Sequence, residues 1–267
     1  MSDTLRLIRR STWPLTQLGR AAFRFVFPPS CPLCHRDVDL EEPRDLGQRI
    51  APSLCDQCST GMLPPPSRRC PRCGLPVGPH ARTDDGCPHC RSQKFRFCRV
   101  IRVGLYDDLL RTACIRAKGT AQSPLAAALA NLVWVQEREE LDAEQIEVVV
   151  PVPRHWTRRL LRPHHAAETI SRVLARRLGK PHGRGLLHKI KWTPDQSDLS
   201  AARRKLNLKD AFAVRSRPRL LAGKTVLLVD DILTTGTTAN ECTRALLRAG
   251  AAKVIVAVIA VVPPSSR

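Results

Sequence analysis

The pattern of apolar and polar positions divides the chain near residue 95. Downstream, short β-branched runs alternate with stretches whose apolar residues recur at helical spacing. Residues 100–106, 146–150, 226–229 and 254–262 read as strands, and their almost unbroken apolar character suits strands covered on both faces. Residues 107–117, 124–138, 165–178 and 237–248 read as helices, with Gly179 and Gly250 as stops just past two of them. Strands alternating with helices predict an α/β fold, a parallel sheet flanked by helices. Residues 191–209 are polar, basic and weakly periodic, which predicts a mobile loop leading into a short helix. Upstream the grammar differs: residues 1–30 form a basic amphipathic lead closed by Pro28 and Pro29, and 31–91 form a Cys/Pro-rich block with few apolar runs. The chain therefore divides into a lead at 1–30, a cysteine module at 31–91 and an α/β domain at 92–267.

Of the 11 cysteines, eight fall in four CxxC pairs: Cys31/Cys34, Cys55/Cys58, Cys70/Cys73 and Cys87/Cys90. One CxxC turn brings two thiolates onto one metal, and two turns complete a tetrahedral Cys₄ zinc site. The simplest pairing is sequential, giving two zinc ions, although a cross-braced pairing satisfies the same spacing. Closed Cys₄ sites leave no open coordination position, so the metal is expected to be structural and to supply most of the module's folding free energy. Redox CxxC chemistry is the competing reading. His35, His80 and His89 are expected at the surface, because eight thiolates suffice. Cys98, Cys114 and Cys242 are expected as small core residues.

Charge adds a partner class. The formal net charge is +20, and between Arg154 and Lys191 the only acid is Glu168. A basic surface of this kind attracts polyanions such as nucleic acid, though a high-Arg composition alone produces one too. No run of about 18 to 20 apolar residues needed for a membrane span is present. The Arg-interrupted start does not read as a secretory signal, and paired cysteines of the metal type fit a reducing compartment, so a cytoplasmic location is expected.

The sharpest local feature is TVLLVDDILTTGTTANEC, in which a buried strand ends in Asp230 and Asp231. A turn of Thr234, Thr235, Gly236, Thr237 and Thr238 follows and opens a helix. Amides at a helix start and threonine hydroxyls donate to phosphate oxygens. Gly236 lets the backbone approach the ligand, and the acid pair can accept hydrogen bonds from a ribose diol. A plain N-cap beside two acids is the bland alternative.

These residues carry a resemblance. VLLVDDILTTGTT is similar to the signature of type I phosphoribosyltransferases, and the chain from about Phe27 to Val262 resembles the competence protein F (ComF) family, which joins a double zinc ribbon to a phosphoribosyltransferase domain. VVVPVPRHWTRRLLRPHH and KWTPDQSDLSAARRKLNLKDAF match further family segments, the latter at Thr193, Gln196, Leu199, Arg203, Asn207 and Phe212. The resemblance implies a type I phosphoribosyltransferase fold after an N-terminal double zinc ribbon. It implies phosphoribosyl pyrophosphate (PRPP) bound with Mg²⁺, Asp230 and Asp231 on the ribose, and 234–238 around the 5-phosphate. Pro151, Val152, Pro153 and Arg154 would form the pyrophosphate loop, with Arg158, Arg159 and Arg162 neutralising it. Residues 191–207 would be a lid, with Lys191 and Arg203 the candidate catalytic residues. The chain departs from the family after Arg162, where Pro163, His164, His165 and Ala166 stand in place of an Arg-Gly-aromatic-Asn-Gln run. Three functions follow: a DNA-uptake factor for natural transformation that handles single-stranded DNA and meets uptake-machinery proteins, a metabolic phosphoribosyltransferase, or a non-catalytic ligand sensor.

Overall fold

The computed structural model describes residues 29–38, 53–64, 67–119, 123–154, 165–191, 208–215 and 220–264. Helix α1 (Asp56–Met62) belongs to the cysteine module. Then follow β1 (Arg99–Leu105), α2 (Asp108–Arg116), α3 (Ser123–Ala143), β2 (Val148–Pro151), α4 (Ala166–Leu178), β3 (Leu187–Lys189), β4 (Phe212–Val214), β5 (Thr225–Val229), β6 (Ile232–Leu233), α5 (Thr237–Arg248) and β7 (Lys253–Val261). The main sheet has the order β1-β7-β5-β2, with β6 also on β7, and every pairing in it is parallel. The sequence strands and helices are thus recovered, with small shifts at their ends. Helix α3 runs five residues past 138, through a non-helical Glu137 (φ −116°, ψ 16°). The hairpin β3–β4 is antiparallel and flanks the segment read as a loop; residues 192–207 lie outside the described residues.

Alternation along the strands sorts the core into two layers. Ile101, Val103, Val149, Leu227, Val229, Ile255 and Ala257 point toward α2, α3 and α4. Val100, Val148, Val150, Val226, Leu228, Val254 and Val256 point to the other face, toward α5 and the hairpin. This is the two-sided burial that apolar strands require.

The cysteine module is split across the same two layers. Cys31, Leu33, Leu54, Cys58 and Met62 join the core of α2 and α3, whereas Cys70, Cys73, Leu75, Cys87 and Cys90 join the core of α5 and β7. The second group is fastened by polar contacts as well. Val100 N–H donates to the Pro71 carbonyl (2.8 Å), and the buried Arg102 guanidinium donates from Nε to the Gly74 carbonyl. Arg69 reaches α3, donating to Glu137 Oε1 (2.8 Å) and Glu140 Oε1 (2.6 Å). Burial pushes the Glu137 carboxyl up from its ordinary range, opposed by that guanidinium.

Breaking a buried pair leaves one charge without compensation, which costs more than the pair contributes while intact. Glu137 retains only 4% of its side-chain exposure. The expected outcome for Arg69→Ala is a loss of about 3 kcal/mol in urea unfolding, with the segment around Cys70 becoming protease-sensitive.

Candidate functional site

Two places in the structure carry chemistry: the thiol clusters and the C-terminal edge of the sheet. The thiols gather as Cys31, Cys34, Cys55 and Cys58, and as Cys70, Cys73, Cys87 and Cys90, with all ligand atoms in each group within 4.8 Å of one another. This is the sequential arrangement. Sγ–Sγ separations of 3.5 Å (Cys34–Cys55), 3.8 Å (Cys70–Cys90), 3.6 Å (Cys73–Cys87) and 3.8 Å (Cys87–Cys90) match the ~3.8 Å edge of a tetrahedron built on Zn–S bonds of about 2.3 Å. The donor set and its spacing therefore fit a zinc ion in each group.

Both groups start with the same turn. His35 N–H donates to the Cys31 carbonyl and Gly74 N–H to the Cys70 carbonyl, each at 2.8 Å, and each donor residue has positive φ (64° and 76°). Burial raises the Cys31 thiol pKa, but backbone N–H groups of Cys55, Cys34 and Leu33 outweigh it and bring it down to about 7. His35, His80 and His89 are exposed, as expected. Cys114 and Cys242 are buried, but Cys98 is exposed, contrary to the core reading. It lies just ahead of β1, where Cys98 N–H pairs with the Val254 carbonyl (2.9 Å) and the side chain turns to solvent.

At the sheet edge, β5 and β6 pair successively with β7, and Asp230 and Asp231 occupy the gap between them. Their backbone is pinned: Asp230 N–H donates to the Ala257 carbonyl and Ile259 N–H to the Asp231 carbonyl, both at 3.0 Å. Asp230 Oδ1 accepts from Asp231 N–H and Asp231 Oδ1 from Ile232 N–H, both at 2.9 Å. Burial first, then the neighbouring Asp231 charge, raises the Asp230 carboxyl well above its ordinary value.

Lys118, just past α2, places Nζ 3.4 Å from Asp231 Oδ2. Burial pulls its ammonium down, but the charges of Asp231, Tyr106 and Asp230 outweigh it and hold it above the usual lysine value. Sequence reasoning missed Lys118, because nothing in the turn AKGT separates it from any other surface lysine.

Beyond the acids, Gly236 adopts φ +74° and caps α5. Thr235 Oγ1 and Thr237 Oγ1 lie 2.9 Å apart. The first turn of α5 carries no acid, so the positive end of the helix faces the loop 234–238 without a competing carboxylate. A Cβ on Gly236 would stand 2.7 Å from Phe95 Cε1. The neighbouring Arg96 N–H donates to Asn240 Oδ1 (2.7 Å). Phe95 and Arg96 were also missed; each acts through residues more than a hundred positions away.

Pro151 ends β2, beside β5, and Val152 N–H donates to the Val229 carbonyl (2.8 Å). Pro151, Val152, Pro153 and Arg154 line a small cleft with His165, Arg184 and His188, near the acid-bearing strand. Glu168, on its wall, pairs with Arg184 (2.7 Å). Lys191 Nζ donates to the Lys209 carbonyl (2.8 Å), tying together the two ends of segment 192–208. Arg158, Arg159, Arg162 and Arg203 lie outside the described residues.

The chain is similar to several known proteins. A family model described as "Phosphoribosyl transferase domain" matches residues 160–266. Competence protein F of Haemophilus influenzae is 30% identical over 200 residues, covering 74% of this chain and 85% of its own length. The DNA utilization protein YhgH of Salmonella typhimurium is 32% identical over 208 residues, covering 75% and 87%. A solved structure of the allosteric regulatory enzyme of purine biosynthesis aligns with a TM-score of 0.34 and 24% identity; this chain spans about a quarter (26%) of that enzyme's length.

The raised pKa of Asp230 fixes the sign of a stability effect. Above the unfolded carboxyl value of about 3.9, ionising Asp230 costs more in the folded than in the unfolded chain, so folding loses stability as pH rises toward the folded pKa. The expected outcome for Asp230→Asn is a higher melting temperature than wild type at neutral pH, with the gain vanishing below the unfolded value. Calorimetric scans across pH check it.

Proposed function

Because the chain belongs to the competence protein F family, with a double zinc ribbon and a phosphoribosyltransferase domain, we propose that it is a cytoplasmic DNA-uptake protein that binds PRPP and handles single-stranded DNA. The observation that carries the PRPP reading is the half-buried acid pair held at the C-terminal end of a parallel sheet, directly before an acid-free helix start. Ligands of open α/β sheets bind at that edge. The loop amides and threonine hydroxyls at 234–238 would take the 5-phosphate, and Asp230 and Asp231 would accept from the ribose hydroxyls. Arg154, at the end of β2, would face the pyrophosphate, joined by Arg158, Arg159 and Arg162.

Two adjacent carboxylates beside a phosphate site fit Mg²⁺, which characteristically takes one or two carboxylates and completes its shell from substrate phosphates. Bound with the ligand, it would supply charge neutralisation for the pyrophosphate. Lys118 would pair with Asp231 until the ligand arrives. If the domain transfers the pentose, the work of these residues is positioning and charge stabilisation at C1, with segment 191–207 excluding water and Lys191 and Arg203 the candidates to approach the reacting centre. Zinc in both Cys₄ groups would be structural, since four thiolates leave no open position.

Support for the polyanion partner comes from α4 and the turn after it. Arg172, Arg176, Arg177, Lys180 and Arg184 are all exposed there, and Lys191 is exposed beyond β3. Among the described residues, no helix is long and apolar enough to cross a membrane.

Calorimetry with PRPP and Mg²⁺ tests the ligand. Wild type is expected to bind, and Asp230→Ala to bind at least about tenfold more weakly, the scale of one charge-assisted hydrogen bond; equal affinity would sink the assignment. For DNA, binding of an unstructured oligonucleotide is expected to weaken steeply with salt, the slope falling by about 0.7 for each arginine–phosphate pairing that a substitution removes. A salt-independent interaction would rule out backbone tracking. Pyrophosphate release with a defined purine, pyrimidine or amine acceptor would replace the DNA reading with the metabolic one.

A further inference from the structure

The second cysteine group shares a cleft with the phosphate loop. Cys73 and Cys90 line it on one side, and Thr234, Thr235 and Gly236 on the other. Between them lies a short strap, residues 91–98, that leaves Cys90 and enters β1. Its Arg96 N–H is bonded to Asn240 in the first turn of α5 (2.7 Å). Its Phe95 ring covers Gly236 so closely that a Cβ there would lie 2.7 Å from Cε1 and 3.0 Å from Cζ.

The ring is itself held in place. Phe95 stacks on Phe97, with centroids 4.6 Å apart and planes at 22°. Phe97 is 2% exposed and packs in the same core as the four thiols. The strap is tied back to the ribbon by Arg72, whose guanidinium donates to the Gln93 carbonyl (3.2 Å) and the Asp85 carbonyl (3.0 Å).

This matters because of what the loop is made of. Gly236 sits at a φ that glycine leaves easily, since it populates many other conformations at little cost. An anion site formed by backbone amides works only if those amides point the right way before the ligand arrives. Beside its threonine pair, the loop draws restraint from a ring on the strap that leaves the cysteine module.

We propose that the second Cys₄ group positions the phosphate loop, with Phe95 as the positioning residue that clamps Gly236 and makes anion binding there conditional on that ribbon being folded around its metal. The inference rests on the PRPP reading for its ligand and not for its mechanics. Phe95 lies apart from the residues that line the pyrophosphate cleft. The first cysteine group packs in the core on the opposite face of the sheet, away from loop 234–238.

The test uses the full-length zinc-loaded protein with four variants: Phe95→Ala, Phe95→Leu, Cys87→Ser and Cys58→Ser. Zinc content is measured by colorimetric release, exchange of the amides at 234–238 by hydrogen–deuterium exchange, and PRPP affinity with Mg²⁺ by calorimetry. Phe95→Ala is expected to keep both zinc ions and the protection of β5 and β7. Its loop amides should exchange faster, and its PRPP affinity should fall about tenfold, as when a supporting residue behind a ligand site is removed. Phe95→Leu, which keeps the apolar bulk, should recover most of that affinity. Cys87→Ser should loosen the loop as Phe95→Ala does, and Cys58→Ser should lose zinc without loosening it. Unchanged loop exchange in Phe95→Ala, or equal loosening in Cys58→Ser, overturns the proposal. A wild type that fails to bind PRPP overturns the ligand assignment instead, and the exchange comparison still decides the coupling.

Discussion

Pairing along β7 is the constraint from which the rest of the molecule follows. Eight of its nine residues are buried, and β1, β5 and β6 all hydrogen-bond to it. One long strand thus receives the edge that meets the cysteine module, the strand that carries the acids, and the short strand after them. Because β5 and β6 share a partner in consecutive registers, the two residues between them cannot drift. Val229 opposes Ala257 and Ile232 opposes Ala260, which leaves Asp230 and Asp231 stretched between two fixed points. Placing two carboxyls side by side in a half-buried setting is unfavourable, and the sheet provides the rigidity that keeps them from separating.

The electrostatics of that edge are uneven. Among the described residues, the ammonium paired with the acids is that of Lys118, so a single lysine faces two carboxyls. Beyond the pair lies a helix start without an acid. A site left to itself would relieve such a concentration of like groups by burying a second cation. Tolerating it instead gives up local stability, a pattern that clusters at functional sites.

Much of this was legible in the residues. Apolar strands alternating with amphipathic helices dictate a covered parallel sheet, and 225–242 announces strand, acids, turn and helix in one stretch. The CxxC spacing identifies the thiol clusters, and the two knuckles repeat one backbone pattern despite having His35 in one and Gly74 in the other. What could not be read were relations between distant segments. Lys118 meets Asp231 across 113 positions because α2 packs over the sheet edge. Phe95 meets Gly236 because the strap runs under α5, and local periodicity holds no trace of either contact. Cys98 failed for a related reason. Cys98 stands between Phe97 and Arg99 just ahead of a strand, and its exposure depends on the tertiary path of the strap. The hairpin β3–β4 was hidden by the long polar insertion between its two short arms.

The division of the cysteine module between opposite faces of the sheet sets an order on assembly as the chain is made. The first group packs against α2 and α3, which follow it closely in the sequence. The second meets Phe97 and Val100 soon after it, yet its other apolar partners are Leu233, α5 and Val261, near the far end of the chain. Its packing is therefore completed only when the last strand has been synthesised and inserted. Contacts of such long sequence separation form late. Loop 234–238, enclosed by that final docking, is among the parts completed last, and a nascent chain stopped short of β7 holds both cysteine groups without the strand that fixes Asp230 and Asp231.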